Sequence, residues 1–199
     1  MIATISRKLS LTLLKSNAIN QEELNVYAYG IQLLILSIID WSITFLLVFL
    51  IGEIYLSATY FFVFFILRRH CGGYHAETHI QCIIVSNIVY VLSVLISANI
   101  RYENFTIPLF LGELINLIIL HKLSPIEHPN KPITKSEIMR HKKLGRILNM
   151  LFSIAAIGIN SIGISRFACI ILTAQLSVSI AVVLQKIKNQ KRKEEKTDE

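Results

Sequence analysis

The sequence predicts an all-α integral membrane protein with about six transmembrane helices and an amphipathic helix at its N-terminal end. Of its 199 residues, 53% are hydrophobic and only 17% are charged. A soluble domain of this size usually has about a quarter charged residues, and its helices carry an apolar stripe rather than being apolar all round. The net charge of +7 comes without the aromatic interleaving or binding motifs of nucleic-acid-binding proteins, so no nucleic-acid partner is predicted.

The apolar residues form six blocks, most of them close to the roughly 20 residues that a helix needs to cross a bilayer. They cover residues 31–51, 54–67, 83–100, 104–120, 147–165 and 167–185. The second block has only fourteen residues. It can span if Arg68 and Arg69 reach back to the membrane surface and the bilayer thins locally, and a re-entrant segment is the alternative.

The basic residues predict how these blocks are oriented. With six spans, both termini and the connections 68–82 and 122–146 fall on one face of the membrane. That face holds eighteen of the twenty Lys and Arg residues, and only Arg101 and Arg166 lie opposite. Because basic residues concentrate on the cytoplasmic side, the sequence predicts a multi-pass protein of the cell membrane with both termini in the cytoplasm.

The two ends of the chain differ from the apolar blocks. Residues 1–20 place apolar side chains at helical spacing, with Arg7, Lys8 and Lys15 off that line, which predicts an interfacial helix. Residues 186–199 are a charged run with little apolar content, which predicts a solvated, mobile tail. Residues 1–185 are therefore expected to form a single membrane-embedded domain.

Between the second and third blocks lies the polar stretch 68–82, RRHCGGYHAETHIQC. A nucleophilic cysteine needs a base that removes its proton, and Cys82 follows His75 by seven residues. A straight helix would hold their α-carbons about 10.5 Å apart, with His75 leaning away from Cys82. Gly72 and Gly73 supply flexible backbone for a turn. A Cys–His dyad therefore requires a helix that begins after His75, with the imidazole folding back over Cys82.

Two other interpretations of this stretch remain open from the residues alone. Cys71, His75, His79 and Cys82 share one helical face, and a Cys2His2 set suits zinc. The glycine pair disfavours a helix that reaches back to Cys71, which weighs against that site. The stretch could also be a plain polar connector between two spans.

Two motifs in this chain resemble AgrB, the accessory gene regulator B family of membrane peptidases. The first motif comprises Arg69, Gly72, Gly73, Tyr74, His75, Ala76 and Cys82. The second is the segment SPIEHPNKPIT at 124–134, which is similar to the P-x-E-x2-N-K-P segment of that family. The motifs occur in the same order as in the family, and the chain is similar in length, number of apolar blocks and basic central loop. Cys71 and His79 are not fixed features of the family pattern.

The resemblance implies a cysteine endopeptidase that acts in quorum sensing without a metal or other cofactor. Its substrate would be an AgrD-like precursor peptide, and the family resemblance also suggests a homodimer. Cys82 would attack the carbonyl between the signal and its C-terminal tail, and His75 would transfer the thiol proton to the leaving amine. The signal would remain on Cys82 as a thioester until an internal cysteine or serine closes a thiolactone or lactone ring.

Other residues of the two polar connections have candidate roles. Arg68 and Arg69 either bind an acidic precursor tail or anchor the second block at the membrane surface. Backbone amides at Gly72 and Gly73 are candidates for an oxyanion site. The loop 122–146 carries seven basic residues, which suit anionic lipid. Asn130 and Lys131 within it are candidates for positioning the precursor.

Two acidic residues lie inside apolar blocks, where an ionised carboxylate is costly. Asp40 and Glu113 are expected to serve helix packing or to be protonated. Such residues also occur in small multi-span transporters, which are the alternative class for this chain. Transporters commonly show paired halves with broken spans, and no such pairing is visible in this sequence.

Overall fold

The computed structural model describes residues 2–74, 78–101, 105–126 and 135–195. In these residues the regular structure is entirely helical, with seven α-helices and a short 3-10 helix at Gln21–Glu23. The α-helices are α1 (Ile2–Lys15), α2 (Leu24–Ile51), α3 (Ile54–Cys71), α4 (His79–Asn99), α5 (Thr106–Leu123), α6 (Lys135–Ser161) and α7 (Ser165–Glu195). The all-α prediction is confirmed.

Five of the described helices are long and apolar enough to cross a membrane, namely α2, α4, α5, α6 and α7. They correspond to five of the six predicted blocks. The remaining block, 54–67, lies in α3, which has 18 residues and carries Arg68, Arg69 and His70 in its last turn. These three polar side chains lower its average hydropathy, so α3 is not among the five. An integral membrane protein is thus confirmed, with five clear spans where about six were predicted.

Two helices extend further than the sequence predicted. Helix α6 begins at Lys135, so residues 135–146 of the predicted basic loop are helical. Helix α7 continues to Glu195, so most of the predicted tail 186–199 is helical as well. Lys, Arg, Glu and Gln are good helix formers, and adding turns to an existing helix is easier than starting one. The mobility of the tail stays a prediction.

The chain divides into two compact units, Met1–Ile51 and Gly52–Glu199. The single domain over 1–185 stays a prediction. Gly52 lies at the division and has a φ of +76°, a conformation that ends α2 at little cost only for glycine. In the first unit α1 packs against α2. The small side chains of Ser6 and Ser10 are buried, whereas Ile5 and Leu9 are exposed. Exposed apolar side chains suit a helix that lies on a bilayer, as the sequence predicted.

The second unit is built around α7. This helix packs against α3, α4, α5 and α6. In its most apolar stretch 56% of the residues are buried, compared with 28% or less in the other four candidate spans. Helix α7 is therefore the inner helix of this unit, and the remaining helices leave large apolar surfaces exposed, as lipid-facing helices do.

Close packing of α5 against α7 depends on Gly112. A β-carbon at this position would lie 2.9 Å from the side chain of Leu172 on α7, whereas a β-carbon at Gly158 on α6 would meet nothing within 4 Å. We therefore expect Gly112→Val to destabilise the protein by about 1–3 kcal/mol through overpacking. Gly158→Val is the matched control, since both glycines lie inside helices. Thermal midpoints in detergent check this, and an equal effect of the two substitutions would contradict it.

Candidate active site

The diglycine turn at the end of α3 is closely packed. The amide of Gly72 donates a hydrogen bond to the carbonyl of Arg68 at 3.1 Å and so closes the last turn of the helix. Gly72 and Gly73 have φ angles of +73° and +143°, which L-residues with side chains rarely adopt. A β-carbon at Gly72 would also lie 2.7 Å from the carbonyl oxygen of Ile126. Glycine is required here both by the backbone conformation and by the close approach of the chain at Ile126.

Tyr74 attaches the turn to the inner helix. Its amide donates to the carbonyl of Ala181 on α7 at 2.7 Å. The ammonium group of Lys188, also on α7, lies 5.1 Å from the centre of the Tyr74 ring, within the range of a cation–π interaction. The chain that leads into position 75 is thus held by α7.

The guanidinium of Arg68 lies inside this turn. It donates hydrogen bonds to the carbonyl of Gly72 at 3.4 Å and to the carbonyl of Tyr74. It also occupies the space beside Gly73, where an added β-carbon would overlap Nη1. Burial lowers the pKa of Arg68, whereas the negative charges that Cys82 and Cys71 would carry as thiolates act in the opposite direction. Arg68 is therefore engaged with the turn itself, while Arg69 is exposed.

Cys82 lies on the first turn of α4. The helix begins at His79, and the Thr78 side chain caps it by accepting a hydrogen bond from the Gln81 amide at 3.3 Å. The Cys82 amide donates to the Thr78 carbonyl at 3.2 Å, and Cys82 is partly exposed. The prediction that the helix starts after His75 is confirmed. The Cys82 thiol thus lies at the start of a membrane-spanning helix, in electrostatic range of Arg68.

Several predicted site residues lie outside the described part of the chain. These are His75, Asn130 and Lys131. The Cys82–His75 dyad and the roles of Asn130 and Lys131 therefore stay predictions. Of the residues that flank His75, Tyr74 is fixed by Arg68 and α7, and Thr78 is fixed as the cap of α4.

Cys71 points away from solvent at the end of α3. It is fully buried, its thiol has a hydrogen bond with Ser124, and a β-carbon at Gly145 would come within 3.2 Å of its sulfur. Burial raises the pKa of this thiol. Within the described residues, no group of three or more His, Cys, Asp or Glu side chains is arranged to hold a metal ion. Cys71 thus packs between α3 and α6, while His75 of the alternative zinc set is not among the described residues.

A pair of histidines next to this site was not predicted from the sequence. Nδ1 of His70 on α3 lies 3.1 Å from Nδ1 of His141 on α6. Such a hydrogen bond needs one ring nitrogen as donor and the other as acceptor, so at least one ring is neutral. Burial and the charges of His141, Arg69 and Arg140 lower the pKa of His70. Seventy-one residues separate the pair, and no local pattern could have revealed it.

The fold and this site define an all-α integral membrane protein with a partly exposed thiol where a membrane-spanning helix begins. The chain belongs to the AgrB family, since the family model "Accessory gene regulator B" matches residues 5–185. The resemblance predicted from the two motifs is thereby confirmed. Membership supports a role in the agr quorum-sensing system, in whose processing step the family is associated with peptidase activity.

Two relatives from Clostridium perfringens are similar to this chain. "Putative AgrB-like protein 2" of strain 13 is 28% identical over 153 residues, which cover 74% of this chain and 71% of that protein. "Putative AgrB-like protein" of strain SM101 is 25% identical over 152 residues, with the same coverage. No solved structure matches the chain at a significant level.

The histidine pair leads to a pH prediction. Because the pKa of His70 is lowered in the folded protein, the unfolded chain binds more protons below the ordinary histidine pKa of about 6.5. The stability contributed by neutral His70 is therefore complete above that pH and is lost as the pH falls toward the lower folded-state pKa. We expect the thermal midpoint to decrease over this range, and less so in His70→Gln. His121→Gln is the control, and an equal pH slope in all three proteins would contradict the assignment.

Proposed function

We propose that this protein is a membrane cysteine endopeptidase that removes the C-terminal tail of an AgrD-like precursor peptide, with Cys82 as nucleophile and His75 as base. The observation that carries the proposal is the position of Cys82, partly exposed at the start of α4 and directly after a turn held by Arg68 and α7. A nucleophile at the end of a membrane helix can meet a peptide that lies at the membrane surface.

The proposed reaction proceeds through a thioester. The Cys82 sulfur attacks the carbonyl carbon at the boundary between signal and tail, and His75 accepts the thiol proton. Collapse of the tetrahedral intermediate breaks the carbon–nitrogen bond, and His75 donates that proton to the leaving amine of the tail. An internal cysteine or serine of the signal then attacks the thioester carbonyl and releases Cys82. A poorly hydrated site favours this ring closure over hydrolysis.

The contacts of the turn suggest separate roles for the other predicted residues of this stretch. The Gly72 amide already donates to the Arg68 carbonyl, and the Tyr74 amide donates to the Ala181 carbonyl. The Gly73 amide is therefore the proposed oxyanion donor. Arg68 acts as a positioning residue, because its guanidinium binds the carbonyls on both sides of Gly73. Arg69 is exposed and is proposed to bind the acidic tail of the precursor.

The remaining features of the proposal concern partners and place. Asn130 and Lys131 are proposed to position the precursor, and the basic residues of 122–146 to contact anionic lipid. The reaction is proposed to occur at the cytoplasmic face of the cell membrane, with both termini on that side and the protein in a homodimer. The residues of the dyad need no metal or cofactor for this chemistry.

The dyad is tested with purified protein in lipid and a precursor peptide that has an acidic tail. Cys82→Ala and His75→Ala are expected to abolish cleavage, because one removes the nucleophile and the other its base. Intact mass should show an acyl adduct in the wild type and none in Cys82→Ala. Cys169→Ala, a buried cysteine on α7, is the matched control and should cleave normally.

Other outcomes of this experiment would contradict the Cys82–His75 dyad. Cleavage retained in Cys82→Ala would refute Cys82 as the nucleophile. No cleavage by the wild type, together with peptide transport that persists in Cys82→Ala, would favour a transporter. Activity lost in Cys71→Ala as well, and dependent on added zinc in the wild type, would replace the dyad with the metal site.

The role of Arg68 is tested by kinetics. In Arg68→Lys a single ammonium replaces a planar group that reaches two carbonyls, so the turn should lose its geometry. A misplacement of about 1 Å in an active site costs on the order of 10²-fold in rate, and we expect that loss in kcat with little change in KM. Gly73→Ala should behave in the same way, because its β-carbon displaces the guanidinium.

Arg101→Lys is the matched control, since that side chain is exposed and lies outside the connections 68–82 and 122–146. A rise in KM at unchanged kcat in Arg68→Lys would instead show that Arg68 binds the precursor tail, as the sequence had suggested.

A further inference from the structure

The interior of the second unit contains a polar network inside three membrane-spanning helices. It joins residues of α5, α6 and α7, each of them 2% exposed or less. The members are Glu113 and Asn116 on α5, Asn149 and Ser153 on α6, and Gln175 and Ser179 on α7. Glu113 is the seventh residue after the start of α5, which places it about 10.5 Å along an 18-residue helix and so near its middle.

Most polar atoms of the network have partners within it. Ser153 Oγ donates to Glu113 Oε2 at 2.6 Å, and Gln175 Nε2 donates to Asn149 Oδ1 at 2.8 Å and lies 3.2 Å from Ser153 Oγ. Asn116 Nδ2 donates to Asn149 Oδ1 at 2.9 Å, and Ser179 Oγ donates to Asn116 Oδ1 at 2.5 Å. Gln175 Nε2 also donates to the backbone carbonyl of Asn149 at 3.2 Å, which fixes the orientation of the Gln175 amide.

Two oxygen atoms of the network are exceptions. Glu113 Oε1 and Gln175 Oε1 are buried and have no hydrogen-bond partner among the described residues. Both side chains meet the same hydroxyl, that of Ser153, so the two oxygens belong to one small region. An unsatisfied buried acceptor costs about 1–3 kcal/mol, and an ionised carboxylate inside a membrane costs more. A hydrogen on one of these two acceptors can be donated to the other, directly or through water.

We propose that Glu113 is an intramembrane proton-binding site, in which the carboxyl group is held as the neutral acid and donates its hydrogen toward Gln175 Oε1, directly or across one water. One proton on Oε1 then satisfies both oxygens and removes the buried charge. The network side chains of α6 and α7 are amides and hydroxyls, none of which titrates. The network has no basic group that could form an ion pair with an ionised Glu113.

A metal cation is a poorer occupant of this region. Hard cations such as Ca²⁺ and Mg²⁺ take about six or more oxygen ligands. In this network only Glu113 Oε1 and Gln175 Oε1 are buried side-chain oxygens without a hydrogen bond, since the Asn116 and Asn149 oxygens already accept hydrogen bonds. A proton needs only these two atoms. The network therefore favours a proton over sodium or a divalent ion.

The test is infrared difference spectroscopy of the full-length protein in lipid at neutral pH. A protonated carboxyl has a C=O stretch at higher frequency than the carboxylate bands, and this band should be lost in Glu113→Gln. Glu53→Gln is the matched control, because Glu53 is partly exposed and paired with Arg166 as an ion. It should lose carboxylate bands only. Loss of carboxylate bands alone in Glu113→Gln would overturn the proposal.

Thermal stability provides a second, independent measurement. Glutamine matches a neutral carboxylic acid in shape and supplies a donor at the same place, so Glu113→Gln should keep the wild-type midpoint. Glu113→Ala should lower it, because it leaves a cavity in the buried network and removes the hydrogen bond between Glu113 and Ser153. A midpoint that rises specifically with sodium in the wild type, but not in Glu113→Gln, would assign the site to that ion and overturn the proton.

Discussion

The hydrogen bonds of the Arg68 guanidinium to the carbonyls of Gly72 and Tyr74 are the contact on which the candidate active site depends. The turn after α3 leaves backbone carbonyls without helical partners, and unpaired buried polar groups are costly. Arg68 supplies these donors from the preceding helical turn, and α7 accepts the Tyr74 amide. With the turn closed in this way, Tyr74 has a fixed position beside α7.

Helix α7 connects this turn to the interior of the protein. Its carbonyl at Ala181 holds Tyr74, and two residues earlier Ser179 joins the polar network that contains Glu113. Hydrogen bonds between side chains of neighbouring helices substitute for the hydrophobic effect, which is weak between helices in lipid. Helix α7 thus supports the candidate active site and also contributes residues to the proposed proton-binding site.

Several features were predictable from local sequence, and others were not. The helix start after the diglycine pair followed from the distance between His75 and Cys82 along a straight helix, and the cap at Thr78 agrees with it. The tail-binding role considered for Arg68 did not anticipate its hydrogen bonds within the turn, because these depend on side-chain direction. The contact between His70 and His141 joins two helices distant in sequence, so no spacing rule could reveal it.

The sequence by itself determined the class of protein and the composition of its reactive stretch. Lipid cannot satisfy backbone hydrogen bonds, so long apolar blocks must be helices, and two motifs identified the family. Only the tertiary structure decided which polar side chains meet. It made α7 the inner helix, attached Tyr74 to it, and gathered Glu113 with Ser153 and Gln175. These contacts join separate helices, and their geometry is set by packing rather than by local pattern.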